Sequence, residues 1–278
     1  MSVAGTVTSG DGTSIAFERA GSGPPLIAVD AAGSYSGFRP FSAPVELLAP
    51  HFTVYVYDRR GRGASGDTPP YAVQREVDDL AALIAEAGGS AFVYAFSSGG
   101  LLALHAAASG LAIPRLALFE PPIEPDQRAT SESAFTAELA GLVAAGRRRD
   151  AVEFFNRGAG VPEELIEQMT PEVWAALEAV AHTLVYDCRI SDATSLELLS
   201  SVKASTLVIH SQGSGDELTG MAAAVAEALP NGAHRELAGG WHGVPDDVLA
   251  PVLAEFFRDQ APGADSRPPA AGGVGSAG

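Results

Sequence analysis

The stretch Phe92-Val93-Tyr94-Ala95-Phe96-Ser97-Ser98-Gly99-Gly100 constrains the fold more than any other part of the chain. The β-prone residues Phe92, Val93 and Tyr94 run into a cluster of small residues, and the apolar run Leu101 to Ala108 follows at once. The pattern is strand, sharp turn, helix, in which the chain reverses within a few residues. Beside so tight a turn only residues with little side-chain bulk fit. Ser97 then projects from the turn at the positive end of a helix dipole, where negative charge is favoured. Ala95 holds the first small position, so the turn must leave room for one methyl group. Taken alone, the pattern is also that of an ordinary βα loop.

The flanking sequence supplies a rhythm. Gly5 to Thr8 and Ser14 to Arg19 alternate around Asp11-Gly12, a hairpin signal. Pro25 to Val29 and Phe52 to Tyr57 are continuous apolar runs, as buried parallel strands require. Val73 to Ala87 has helical spacing (Val77, Leu80, Leu83, Ile84) and stops at Gly88-Gly89. Strand 91–95, helix 98–109 and strand 115–119 follow, and such alternation predicts a parallel sheet with right-handed crossovers. The rhythm breaks at Pro121-Pro122. Residues 123–200 show helical periodicity only, in Phe135 to Ala145, Ala151 to Asn156, Glu163 to Met169 and Val173 to Leu184. Strand rhythm returns at Ser205 to His210, with helix 218–229, a short strand near His234 to Leu237, and a last helix through Phe257. The expected fold class is therefore α/β: a mostly parallel twisted sheet flanked by helices. Residues 1–122 and 201–260 form its core, and 123–200 form a helical cap over the strand C-termini, where ligands bind in open α/β sheets. The Ala/Pro/Gly/Ser-rich tail 261–278 lacks residues to bury and is expected to be disordered.

Composition narrows the function classes. The 278 residues carry a formal charge of −17 with Lys203 as the one lysine, which disfavours nucleic-acid and anionic-membrane partners. No apolar run is long enough for a spanning helix. The segment Met1 to Gly5 lacks a basic and apolar leader pattern, so a cytoplasmic location is expected. The one cysteine, Cys188, rules out an intrachain disulfide and a cysteine-rich metal site. No zinc, Walker or dinucleotide spacing occurs, and no cofactor is expected.

Two further pieces stand in a telling order: Tyr57-Asp58-Arg59-Arg60-Gly61-Arg62-Gly63-Ala64-Ser65-Gly66 after the strand 52–57, and Trp241-His242-Gly243 before the last helix. With the Ser97 turn between them, the chain resembles the α/β-hydrolase superfamily, in particular its capped, single-domain bacterial members, over roughly residues 5–260. The resemblance implies Ser97 as nucleophile and His242, between Gly239-Gly240 and Gly243, as general base. The other histidines have different readings. His51 belongs to a surface loop, His105 to helix packing and His234 to a strand edge, while His210 ends a strand within reach of the site and His182 could line a pocket.

The acid that would orient His242 stays open. The family's usual position, after the strand 205–210, falls on Ser214, with Asp216 two residues later. Glu120, ending strand 115–119, matches the placement in some members, and Asp187 in the cap is a third candidate. The family's His-Gly pair after the strand 25–29 is replaced by Asp30-Ala31-Ala32-Gly33. The resemblance implies the backbone N–H groups of Ala32 and Ser98 as an oxyanion hole, which survives side-chain changes. Asp30 would oppose an oxyanion unless it is paired, and Arg59 or Arg60 is the expected partner. Arg60 and Arg62 are read as structural salt-bridge residues. Phe96, Tyr35, Phe38, Trp174, His182, Leu184, Tyr186 and Trp241 are candidate substrate-lining residues.

Two enzymatic readings result. One is a serine hydrolase cleaving an ester, thioester, lactone or β-diketone C–C bond of a small to medium apolar molecule. The alternative, prompted by the departures at Ala95, Asp30, Ala31 and the acid, is a cofactor-independent lyase, cyclase or rearrangement enzyme of secondary metabolism on the same fold. A ligand-binding protein without catalysis is a third class, against which the retained Ser and His argue.

Overall fold

The computed structural model describes residues 2–40, 42–124 and 126–259; the expected tail 261–278 lies outside them. Strands β1 (Val3–Thr8) and β2 (Ser14–Gly21) form the antiparallel hairpin. The other strands are β3 (Pro25–Val29), β4 (Thr53–Tyr57), β5 (Phe92–Phe96), β6 (Arg115–Phe119), β7 (Ser205–Ser211) and β8 (Gly232–Leu237). They join in one sheet, order β1-β2-β4-β3-β5-β6-β7-β8, antiparallel at β1 and β2 and parallel from β4 onward.

The central parallel strands β3, β4, β5 and β6 read as largely apolar runs because both faces are covered. Ile27, Val29, Val93, Ala95, Leu116 and Leu118 point to one face, against α2 (Val73–Glu86), α3 (Ser98–Ala108) and α10 (Gly215–Ala228). Leu26, Ala28, Tyr94, Phe96, Ala117 and Phe119 point to the other, against α1 (Val45–Leu48) and α11 (Asp246–Arg258). Ala95 is fully buried, so its methyl fits the turn. Helix α2 ends where the glycines predict: Gly88 and Gly89 take positive φ, and their N–H groups donate back to the Ala85 and Ile84 carbonyls.

Between β6 and β7 the described chain is helical: α4 (Ala134–Ala144), α5 (Arg148–Gly158), α6 (Glu163–Glu167), α7 (Pro171–Ala179), a 3-10 turn (Ala181–Thr183), α8 (Leu184–Ala193) and α9 (Leu196–Leu199). Ser133 caps α4, and Thr170 followed by Pro171 starts α7. This insert has its own apolar core, with Leu139, Val152, Ile166, Trp174 and Leu184 at its centre. The single helix expected over Val173 to Leu184 is broken. The Thr183 hydroxyl donates to the Val180 carbonyl at 2.8 Å and accepts from Arg62 at 3.1 Å, and the α-helix restarts at Leu184 as α8 after the 3-10 turn.

The arginine motif after β4 supplies buried polar seams. Arg60 grips Asp79 of α2 with two nitrogens and Asp11 of the hairpin with a third. Arg59 grips Glu76 with two nitrogens and reaches Asp187 of α8 at 2.7 Å. Arg62 reaches the other oxygen of Asp187 at 2.5 Å. Among the described residues, no helix is long and apolar enough to cross a membrane.

The start of α3 is pressed against the end of β3. A Cβ on Gly99 would stand 2.4 Å from the Val29 carbonyl oxygen and 2.6 Å from that of Asp30. Both obstacles are backbone, so neither can swing aside. Gly99→Ala is expected to destabilise the fold by about 1–3 kcal/mol, the usual cost of overpacking, read as a lower urea midpoint at unchanged slope.

Candidate active site

Among the described residues, the non-glycine positions with positive φ are Ser97 (51°), Glu120 (44°) and His242 (48°). Such conformations cost of order 1–3 kcal/mol each and persist only where the surroundings enforce them. Ser97 follows β5, Glu120 follows β6 on the neighbouring strand, and His242 lies in the loop between β8 and α11. The Ser97 N–H donates to the Phe119 carbonyl at 2.8 Å, and the Glu120 N–H to the Ile209 carbonyl at 2.9 Å. Sheet-like bonds thus continue one residue past each strand while the side chains turn out of the sheet.

Glu120 is fully buried and meets His242, its Oε2 2.5 Å from Nδ1. Its other oxygen accepts the Ser211 N–H at 2.7 Å, so both carboxylate oxygens are engaged. The Ser211 hydroxyl donates to the Gly240 carbonyl at 2.7 Å, and the Ser214 hydroxyl accepts the His242 N–H at 2.9 Å. The His242 ring packs on Phe96, the residue before Ser97, at 4.8 Å between ring centres, and Trp241 flanks it at 5.3 Å. Phe96 itself stacks on Phe119 at 5.1 Å. The imidazole is therefore held at three points beside the Ser97 turn.

Of the candidate acids, Glu120 is the one bonded to His242. Asp216 lies in the first turn of α10, which begins at Gly215, earlier than the sequence predicts, and it is exposed. Asp187 is taken by Arg59 and Arg62. At the position where the resemblance implies an acid, Ser214 instead steadies the histidine loop. That role and the role of Ser211 were not read from the sequence, and only the spacing that led to Ser214 hinted at either.

The loop after β3 brings a correction. Asp30 is buried, and its partner is Arg39 at 2.9 Å, not Arg59 or Arg60. Arg39 also reaches Asp58 at 3.1 Å, so one guanidinium joins the carboxylates of residues 30 and 58. No local spacing announces this pairing. Among the described residues, the backbone N–H groups of Ala32 and Ser98 are left without a hydrogen-bond partner. Both flank the Ser97 turn, Ala32 from the loop after β3 and Ser98 at the start of α3.

The aromatic candidates divide. Phe96 and Trp241 contact His242, and Tyr35 and Phe38 pair through a short bridge, half-buried, with the Tyr35 hydroxyl reaching the Ala176 carbonyl of α7. Trp174 and Leu184 belong instead to the core of the insert, and Arg149 lies over the Trp174 ring at 3.3 Å. Tyr186 stacks on Tyr71 and donates to Asp67, and His182 also faces Asp67 at 3.8 Å, so both line the seam with the loop after β4. His51 is exposed, and His105 is half-buried against Thr194. His210 and His234 bond each other at 2.8 Å. No group of His, Cys, Asp and Glu able to hold a metal ion occurs among the described residues.

A family model described as "Alpha/beta hydrolase family" matches residues 21–255. An alpha/beta hydrolase structure from Sphaerobacter thermophilus is 49% identical, with a TM-score of 0.82 over 91% of this chain and 100% of that one. A hydrolase structure from Pseudomonas aeruginosa is 23% identical, with a TM-score of 0.72 over 92% and 98% of the two chains, a likeness of fold alone. Among curated proteins, the pimeloyl-[acyl-carrier protein] methyl ester esterase of Xylella fastidiosa is 40% identical over 94 residues, which is 34% of each chain. The match thus spans about a third of the length of these curated relatives.

Asp30 also gives folding a pH dependence. Burial pushes its carboxyl up to about 6 from 3.8, against the pull of Arg39 and Arg62. An acid with a raised folded pKa holds its proton longer in the folded state, so its contribution to stability falls as pH rises from about 4 to about 6 and stays low above that. Asp30→Asn cannot titrate. Its stability relative to wild type is expected to improve by about 2 kcal/mol between pH 4 and pH 7, at about 1.36 kcal/mol per pKa unit, measured by urea unfolding at both pH values.

Proposed function

The chain belongs to the alpha/beta hydrolase family, and on that premise we propose that it is a serine hydrolase whose catalytic residues are Ser97, His242 and Glu120. The observation that carries the proposal is the meeting of Glu120 and His242 beside the Ser97 turn, by residues that all bear backbone strain. A serine hydroxyl is a weak nucleophile until a base removes its proton. His242 Nε2 takes that proton as Ser97 Oγ attacks the substrate carbonyl. Glu120 holds Nδ1–H, fixing the tautomer and stabilising the imidazolium that forms. The free N–H groups of Ala32 and Ser98 receive the developing oxyanion. His242 returns the proton to the leaving group, and water, activated the same way, releases the acyl group.

A carboxylic ester of a small to medium apolar acid fits best. The methyl ester esterase among the relatives supports an ester. The half-buried aromatics Tyr35, Phe38 and Trp241 under a helical cap support an apolar acyl group. Thioesters, lactones and β-diketones share the same tetrahedral chemistry. Against the lyase or cyclase reading stand the buried Ala95 methyl, the pairing of Asp30 with Arg39 and the contact of Glu120 with His242.

A fluorophosphonate probe is expected to add once to the wild-type protein, at Ser97, and not to Ser97→Ala or His242→Ala. Glu120→Gln is expected to lower kcat on p-nitrophenyl butyrate by on the order of 10³–10⁴-fold while the protein stays folded. Full esterase activity in Ser97→Ala would refute the covalent mechanism.

A further inference from the structure

We propose that Arg62 and Asp187, one from the loop after β4 and the other from the helical insert, are positioning residues that build both halves of the oxyanion hole. The inference rests on the serine-hydrolase reading and deepens it. Arg62 Nη1 donates to the Ala31 carbonyl at 2.8 Å, and Nη2 to Asp187 at 2.5 Å. The other oxygen of Asp187 accepts from the Ser98 hydroxyl at 2.9 Å and from Arg59 at 2.7 Å. Arg59, Arg62, Asp187 and Ser98 are all buried, so no water competes for these bonds.

The geometry acts on the two free donors through the backbone. The Ala31 carbonyl and the Ala32 N–H belong to one planar trans peptide, so fixing the direction of C=O fixes that of N–H on the opposite side. A guanidinium on the carbonyl oxygen also polarises the peptide and strengthens its N–H as a donor. Ser98 carries the second donor and opens α3, where backbone N–H groups have no partner within the helix. Its side chain is tied down by Asp187, so the N–H cannot pivot with the turn. A buried ion pair contributes little net stability compared with apolar packing; here it fixes two backbone donors from opposite sides of the site. It also makes the hole depend on the seating of the insert, since Asp187 lies on α8.

Ser98→Ala removes the hydroxyl and keeps the backbone N–H and the ion pair. With p-nitrophenyl butyrate as substrate, it is expected to lower kcat roughly tenfold, the weight of one hydrogen bond to a charged group, with KM within about twofold. Affinity for a trifluoromethyl ketone, which mimics the tetrahedral state, should fall by the same factor. Asp187→Asn should lose at least as much, and the double variant no more than Asp187→Asn alone, because both act through one contact. A purely structural role would lower the melting temperature and leave kcat per phosphonate-titrated site at the wild-type value, which would overturn the proposal. Should Asp187→Asn fail to fold, Ser98→Ala decides alone. A wild-type protein that neither labels at Ser97 nor cleaves the ester would remove the hydrolase reading, and this proposal with it; a labelled, active wild type beside an unimpaired Ser98→Ala would remove this proposal only.

Discussion

Asp187 receives two guanidinium groups and a serine hydroxyl in a space closed to solvent. Arg59 and Arg62 are too costly to bury without it, and Glu76 balances only Arg59. The motif after β4 can therefore lie inside the protein only when α8 is docked. The insert carries its own apolar core, and α8 and α9 also lend Ile190 and Leu199 to the core of the sheet domain. The directed part of the attachment is polar: the arginines on Asp187, the Tyr35 hydroxyl on the Ala176 carbonyl, and Asp67 against Tyr186 and His182. Apolar contact alone would tolerate sliding of the insert by a residue or two. Directed hydrogen bonds to buried charges do not.

Around the candidate site the sheet works as a row of fixed points. Ser97 and Glu120 leave neighbouring interior strands, and each is bonded to the next strand through its own N–H. The strained φ angles are affordable because those bonds and the packing of Phe96 on Phe119 over-determine the turn. His242 comes from a loop and needs more support, which Ser214, Glu120 and the Phe96 ring supply.

The architecture was legible because its signals are local. Continuous apolar strands, the glycine stop after α2 and the small-residue turn at Ser97 each follow from a few neighbouring residues. Ser97 and His242 were legible from motif and order, and Glu120 as one of several acids. What sequence could not supply was pairing over distance: Arg39 with Asp30 and Asp58, Arg59 and Arg62 with Asp187, Ser211 with Glu120. A charged residue carries no mark of which opposite charge it will meet. The break after Val180 was hidden for the same reason, since helical periodicity runs on through a segment whose Thr183 hydroxyl meets a distant arginine. Trp174 read as a pocket aromatic because size and apolarity are shared by pocket linings and cores alike.

Glu120, just past β6, precedes the insert in the chain, whereas the loop after β7 follows it. By residue 120 Ser97 and Glu120 are already in place at the ends of adjacent strands, and only His242 arrives later. The long helical segment between them is therefore free to diverge in length and shape without displacing either group, provided that one aspartate keeps its appointment with the arginines.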